Sequence, residues 1–448
     1  MRTARKRARQ RQRRRGKSLI GSMREFLTPE VFKQVRNAAP RRKSPRWDLY
    51  PLLYILLLTT YCSGDSLPEK FEAARGFYVV CCTKRKRPGK TFSGFEKAVT
   101  KLPMPILGAL AAGIRQRMEA AFSTRWKVGG FVPLGCDGTR QTCPRTAELE
   151  RYLGTGGKEG ASPTIWNTTI VHLTLGIPFC WRWGKGGKAS ERSHLLSMLR
   201  YLPAAALIVA DAGYVGYELM AAMIKANTFF LIRMSSMGTF YTENEEPLEK
   251  FREGIAYYWP KTQQDAGKPP LRGRLLRIHS VRHKADVWLF TNVEQSRLPL
   301  ETAALCYRWR WENEGFFRTY KRTLKKVTLM SRTVRSVHRE AEASMIATQL
   351  LLCQGALAMP APRNNSLPAM CSPRGVLREV RREIAGQKPA APFSDRIARA
   401  QRERRPRSSA KEKRQWPRRK PHLPPHPPLL LRLTEEQKLK IQQHLSSV

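Results

Sequence analysis

Acidic residues are scarce in this sequence. Its 448 residues include 35 Asp and Glu against 82 Lys and Arg, a formal charge of +47. A surface so dominated by one sign repels itself and is suited to a polyanionic partner. Paired cysteine motifs are missing as well. The nine cysteines are scattered, odd in number and include no C-x-x-C, which argues against a disulfide framework and a zinc ribbon and predicts reduced thiols in a cytoplasmic protein. No apolar run reaches the roughly 20 residues of a spanning helix. The strongest, Leu49–Tyr61, contains Pro51 and is expected to be a buried helix. No apolar segment directly follows the ten basic residues among the first 17, so no export signal is expected. No internal repeat is present. A nucleotide-binding phosphate loop is also lacking. The stretches from Gly154 to Lys158 and from Gly184 to Lys188 have Tyr152 and Arg182 where the earlier glycine belongs, and Ala189 replaces the hydroxyl residue. His172, His194, His279 and His283 have no ligand spacing with cysteine and are expected to be ordinary surface or core residues.

Apolar residues make up 41% and aromatics 9%, enough for a real core, and the length allows two to four domains of about 100–200 residues each. Residues 1–17 contribute +10 and residues 361–420 contribute +13, leaving +24 for the rest. The body is therefore basic in addition to its ends, and basic arms bind nucleic acid mainly by neutralising phosphate.

The pattern predicts a basic disordered arm at 1–20 and a helical N-terminal domain at 21–125, with a basic loop from Lys84 to Lys90 and a capacity for DNA binding or for capping the next domain. An α/β catalytic domain follows at 126–335, then a helix at 336–360 that offers a dimer contact, and a Pro- and Arg-rich tail at 361–448 expected to be disordered apart from a short helix near its end. Within the α/β part, strands are expected at Phe131–Cys136, Ala204–Ala210 and Phe229–Ile232. A hairpin is expected around Gly176, a β-rich insertion at about 237–298, and one unbroken helix from Cys306 to Val327.

Two aspartates stand at strand ends, Asp137 in Cys-Asp-Gly-Thr-Arg and Asp211 in Ala-Asp-Ala-Gly-Tyr. A carboxylate leaving a strand into a Gly-containing turn is rigidly based and placed to hold a hard cation. Taken singly, each is better explained as turn or N-cap chemistry. The third element is the helix beginning near Cys306. At about 100° per residue, Tyr307, Arg310, Glu314 and Lys321 fall on one stripe, joined by Arg318 and Lys325, while Leu305, Trp309, Phe316 and Tyr320 face the opposite way. Glu314 paired with Arg310 or Arg318 would explain one contact of about 0.2–0.5 kcal/mol, but not a ridge of mutually repelling cations. Two aspartates and one glutamate form a constellation for two Mg²⁺ ions, which in phosphodiester transfer activate the attacking oxygen and stabilise the leaving one.

At these residues the sequence resembles the DDE transposases of bacterial insertion sequences, and more narrowly the insertion-sequence-four family. That family's signature of Tyr, two residues, Arg, three residues, Glu, six residues, Lys is matched by Tyr307, Arg310, Glu314 and Lys321. The resemblance spans about Phe131 to Lys326, under half of the chain. It implies a ribonuclease-H-like mixed sheet with a β insertion between the second Asp and the Glu. It also implies a homodimer holding transposon terminal inverted repeats and target DNA, and cut-and-paste chemistry with two Mg²⁺ ions, for which Mn²⁺ substitutes, through a DNA hairpin in many members. Asp137, Asp211 and Glu314 would be catalytic metal ligands. Tyr307, Arg310, Arg318, Lys321 and Lys325 would contact DNA. Trp288 is placed by position alone as a stabiliser of a flipped base, with core packing as its competing role.

Two other classes fit part of the pattern. A non-catalytic DNA- or RNA-binding remnant would be marked by loss of an acidic residue, yet all three are present. A plain nuclease of the same fold would not need the Tyr-Arg-Lys ridge and would not join strands.

Overall fold

The computed structural model describes residues 18–40, 46–82, 87–154, 160–185, 190–236, 238–243, 250–280, 285–359, 371–387, 391–402 and 427–446. The arm at 1–17, residues 84–86 of the basic loop and most of both Gly-rich stretches lie outside them. In chain order, six helices come first: α1 (Leu19–Met23), α2 (Pro29–Asn37), α3 (Leu49–Thr59), α4 (Leu67–Cys81), α5 (Phe92–Thr100) and α6 (Met104–Ala121), with a short α7 (Ser123–Trp126). Next come β1 (Val132–Thr142), α8 (Ala147–Leu153), β2 (Thr164–His172), β3 (Ile177–Lys185), α9 (Glu191–Met198), β4 (Ala206–Ala210), α10 (Tyr217–Lys225) and β5 (Phe229–Arg233). The region after them holds β6 (Thr239–Thr242), β7 (Glu253–Tyr258), α11 (Lys261–Asp265), β8 (Leu271–Ser280) and β9 (Ala285–Thr291). The chain continues with α12 (Leu300–Trp309), α13 (Glu312–Arg318), a π-turn (Thr319–Thr323), α14 (Val334–Leu357), α15 (Pro373–Ile384), α16 (Phe393–Arg402), β10 (Leu429–Arg432) and α17 (Glu435–Ser446). Two compact units result: Met1–Trp126 with Gly138–Ala189 and Asn313–Arg404, and Lys127–Asp137 with Ser190–Glu312 and Arg405–Val448.

In the first unit the helix starts are written in the sequence. Thr28 caps α2 by accepting from Val31 N with Pro29 at the first turn. Ser66 and Glu69 form a capping box, with Glu69 N donating to Ser66 Oγ and Asp65 N to Glu69 Oε2 at 3.0 Å. Helix α3 is apolar on every side because it is buried on every side, from Leu52 through Leu58. Among the described residues no helix is long and apolar enough to cross a membrane. Helix α1 begins inside the twenty residues assigned to the arm, and its Leu19 and Ile20 are buried.

Helix α14 runs through the centre of this unit and buries eighteen of its 24 residues. Most of its polar groups are matched, the buried amide of Gln354 being the exception. The Glu340 carboxylate accepts from Lys326 Nζ and from the backbone of Met330 and Ser331 at 2.8–2.9 Å. Glu342 accepts from the indoles of Trp181 and Trp183. Gln349 donates to Pro178 O, and Tyr61 donates to Ala347 O. Most of the segment 336–360, where a dimer contact was expected, is buried within this unit. His172, fully buried, bonds Trp126 O and Thr174.

The tail also departs from expectation. Residues 371–402 fold as α15 and α16, whose Val376, Leu377, Val380, Phe393 and Ile397 are buried. The arginines that made the segment read as disordered are neutralised from within. Glu379, nearly inaccessible, accepts from Arg382 and Arg396 at 2.9 and 3.0 Å, and Arg396 also meets Glu383. Gly355 makes room for this packing, since a Cβ there would stand 2.7 Å from Cys371 Sγ.

In the second unit the strands run β10-β6-β7-β8-β9-β5-β4-β1. Strand β1 is shared: its first half pairs with β4 in parallel, and its end lies beside β2 in the first unit, where β2 and β3 form an antiparallel hairpin closed by Gly176 at φ 63°. Taken along β1, the order β3-β2-β1-β4-β5 is the ribonuclease-H-like one. Helix α12 follows this sheet, and α1–α7 form the helical region before it. Strands β6–β9 pair antiparallel in sequence, and β9 joins the sheet against β5. Trp288 on β9 is 4% exposed, stacked on Phe251 with Arg277 over its ring. Its surroundings are those of a packing residue, the role that competes with base contact in the sequence reading.

Burial by itself raises the Glu340 pKa and is the largest influence on it. Lys326 and the two backbone N–H groups together outweigh it, so the carboxyl sits below its ordinary value. A depressed carboxylate contributes stability above its unfolded pKa of about 4.3 and loses it as pH falls through the folded value. Glu340→Gln leaves Lys326 buried without its counter-charge and is expected to cost about 3–5 kcal/mol at pH 7, and to flatten the acid limb of stability. Urea unfolding of both proteins from pH 7 to pH 3 checks this.

Candidate active site

Strands β1 and β4 pair with Val132 opposite Ala206 and Gly135 opposite Val209. Continued two residues on, the same offset of 74 positions would bring Asp137 level with Asp211. Asp211 stands just past the end of β4, whereas Asp137 lies inside β1, which runs on to Thr142, so the strand-end reading of Asp137 is corrected. Asp137 is half-buried at the end of an otherwise buried run from Val132 to Cys136. Asp211 caps the short turn Ala212–Tyr214, accepting from Gly213 N at 2.9 Å. Its turn role and a ligand role are compatible, because that bond uses Oδ1 alone.

The Asp211 turn is held from behind. Arg192 Nε donates to Gly213 O at 2.9 Å. The buried Tyr214 hydroxyl receives the Cys136 thiol at 3.4 Å and bonds Glu191. Burial first, and Asp211 after it, raise the Glu191 pKa, with Tyr214 opposing. Sequence reasoning missed Glu191, Arg192 and Tyr214 as supports. Tyr214 alone carried a signal, in the turn sequence Ala-Asp-Ala-Gly-Tyr.

Tyr307, on α12 of the same unit, reaches this region. Burial raises its phenol pKa. Arg310, hydrogen-bonded to it, and Arg233 pull the other way, while the field of Asp211 adds to the rise. The phenol is thus a neutral donor at physiological pH, the form needed to hydrogen-bond a phosphate oxygen. Arg310 is 8% exposed, its guanidinium 5.6 Å from the Tyr307 ring and 5.2 Å from that of Trp311.

The unbroken helix expected from Cys306 to Val327 is corrected. It stops at Trp309, restarts at Glu312 and passes into the π-turn, where Leu324 N bonds Thr319 O. Trp309 and Asn313, four residues apart, are both buried while Trp311 between them is 53% exposed, a pattern an unbroken helix would also give, so burial does not account for the break. The acidic Glu312 then opens the new helix, where its charge suits the dipole. Thr319 Oγ1 bonds Gly315 O, a contact that bends helices. Lys325 adopts φ 55°, an uncommon conformation for a side-chain-bearing residue. A uniform 100° wheel therefore does not describe this segment. Its apolar prediction is met at Trp309, Phe316 and Tyr320, all buried, and less so at half-buried Leu305. Glu314, Arg318 and Lys325 are exposed, and Lys321 is half-buried, with burial lowering its pKa. Among the described residues Glu314 makes no ion pair with Arg310 or Arg318.

Asp137, Asp211, Tyr307 and Arg310 belong to the second unit, and Glu314, Arg318, Lys321 and Lys325 to the first. Among the described residues no three His, Cys, Asp or Glu side chains stand together as a metal-holding group. The two aspartates nonetheless have the donor chemistry of a hard divalent cation: oxygen ligands only, and like-charged.

Residues 136–350 match the family model for the transposase DDE domain. The match begins one residue before Asp137 and contains Asp211, Tyr307, Arg310, Glu314 and Lys321. Among solved structures, the chain is similar to one in a cryo-EM structure of the piggyBac transposase synaptic complex with hairpin DNA. Identity is 10% and the TM-score 0.40, with 89% of this chain and 88% of that one covered. The likeness is too slight to bear on the site. No curated protein matches.

Tyr307→Phe is expected to leave folding unchanged and to lower DNA cleavage roughly tenfold to a hundredfold, the value of a hydrogen bond to a charged group. Single-turnover cleavage with a melting control checks it, and an unchanged rate removes the hydroxyl from the site.

Proposed function

We propose that this protein is a DNA transposase of the insertion-sequence-four type. In this reading it cuts DNA at the terminal inverted repeats of a bacterial element and joins the freed ends to target DNA in the cytoplasm. The observation that carries the reading is the parallel pairing of β1 with β4, whose offset of 74 positions is also that of Asp137 from Asp211, within a segment matching the transposase DDE domain. Asp137, Asp211 and Glu314 would hold two Mg²⁺ ions, or Mn²⁺ in their place. When bound, these supply activation of the attacking oxygen and stabilisation of the leaving one.

The chain's own residues do the remaining work. Tyr307 donates its proton to a phosphate oxygen, and Arg310 beside it supplies fixed positive charge. The Gly213 carbonyl, held by Arg192, fixes the turn that aims Asp211. Lys321, Arg318 and Lys325 hold the backbone of the cut strand. Two copies of the chain would bind the two transposon ends.

Asp137→Asn, Asp211→Asn and Glu314→Gln are each expected to reduce strand cleavage to background while DNA binding persists, as read from Mg²⁺-dependent nicking of terminal-repeat DNA. A variant that still cuts takes its residue out of the site. Lys321→Ala should weaken end binding and reduce the salt slope by about one. Joining of a pre-cut end to plasmid DNA separates the transposase from a nuclease of the same fold, which would cut without joining.

A further inference from the structure

A second surface of the first unit has the composition of a nucleic-acid site, although no part of the reaction described above uses it. Helix α8, the end of β3 and the start of α14 enclose a groove of about 630 Å³ lined by Glu148, Arg151, Tyr152, Lys185, Val334 and Arg335. That volume is within the usual range of ligand clefts. Helix α8 is anchored in the core by Leu149 and Leu153, both buried, so Tyr152 is not needed to hold the helix down and is 40% exposed. Its ring is fixed in place, with Lys185 Nζ 4.2 Å from its centroid and His338 edge-on at 5.9 Å. The platform beneath is rigid too. Thr146, the cap of α8, donates to Arg332 O, and Glu148 Oε1 accepts the backbone N–H of Val334 at 2.9 Å. The one carboxylate in the lining is thereby committed to the first turn of α14. Arg151, Lys185 and Arg335 have no carboxylate partner among the described residues.

Three cations gathered around a presented aromatic ring lack a counter-charge and a stacking partner, and unpaired nucleotides supply both. Phosphates answer the cations, and a base plane answers the ring. A duplex offers phosphates but keeps its base faces covered. We propose that this groove binds single-stranded DNA, with a base stacked on Tyr152 and the adjoining phosphates held by Arg151, Lys185 and Arg335. The proposal rests on the transposase reading for its DNA substrate.

The test uses the full chain carrying Asp211→Asn, so that bound DNA stays intact. Anisotropy of labelled oligothymidylate and of a duplex of equal length is measured over a range of salt. Tyr152→Ala is expected to weaken the single strand about five- to a hundredfold and the duplex by no more than about twofold, with Tyr152→Phe restoring the binding. Replacing Arg151, Lys185 and Arg335 together by Ala should lower the single-strand salt slope by about two. Equal thermal midpoints guard against misfolding. Unchanged single-strand affinity in Tyr152→Ala overturns the proposal, and so does an equal loss for both DNAs, which marks a duplex surface. With Asp211 restored, absence of cleavage beside the expected Tyr152 effect removes the transposase reading and leaves the groove standing.

Discussion

The parallel pairing of β1 with β4 is the constraint on which the site depends. Its register runs at an offset of 74 positions, the separation of Asp137, inside β1, from Asp211, just past the end of β4. Tyr307, with Arg310 at its hydroxyl, lies on α12 and feels the field of Asp211. The turn after Asp211 is braced by Arg192 and by the Cys136–Tyr214–Glu191 series.

The first unit solves a different problem. Its central helix must pass through apolar surroundings while carrying Glu340, Glu342, Ser344, Thr348 and Gln349. Each finds a partner at hydrogen-bond distance, from Lys326, from two indoles, from Tyr320 and from backbone carbonyls. Such matched polar groups fix one arrangement of helices around the axis, because any rotation of the helix strands several of them at once.

Much of this could be read from the residues. Asp211 was legible because the buried strand before it is a short apolar run and the polar residue that ends it is conspicuous, whereas β1 continues through Asp137 to Thr142. The hairpin around Gly176 and the β-rich insertion were legible from alternation and turn chemistry. Three features were hidden. The break at Arg310–Trp311 leaves no mark in the burial pattern, since Trp309 and Asn313 keep the i, i+4 spacing of one helical face. The folded tail was concealed by its arginines, whose neutralisation by Glu379 and Glu383 is a tertiary fact. Helix α14 read as apolar and available, although most of it is buried.

Strand β10 lies alongside β6, with Leu429 opposite Thr239 across 190 positions of chain. It shields what would otherwise be an open row of amides, and Leu433 and Ile441 beyond it join Tyr241, Tyr257 and Trp259 in a small apolar cluster. Closure over such a span depends only weakly on its length, but it has to wait until β6 and β7 are formed. During that interval the uncovered edge is open to the equivalent segment of another molecule. Exchange of this terminal strand between chains is therefore the misassembly to which this architecture is most open, and crowded expression is the condition that would favour it.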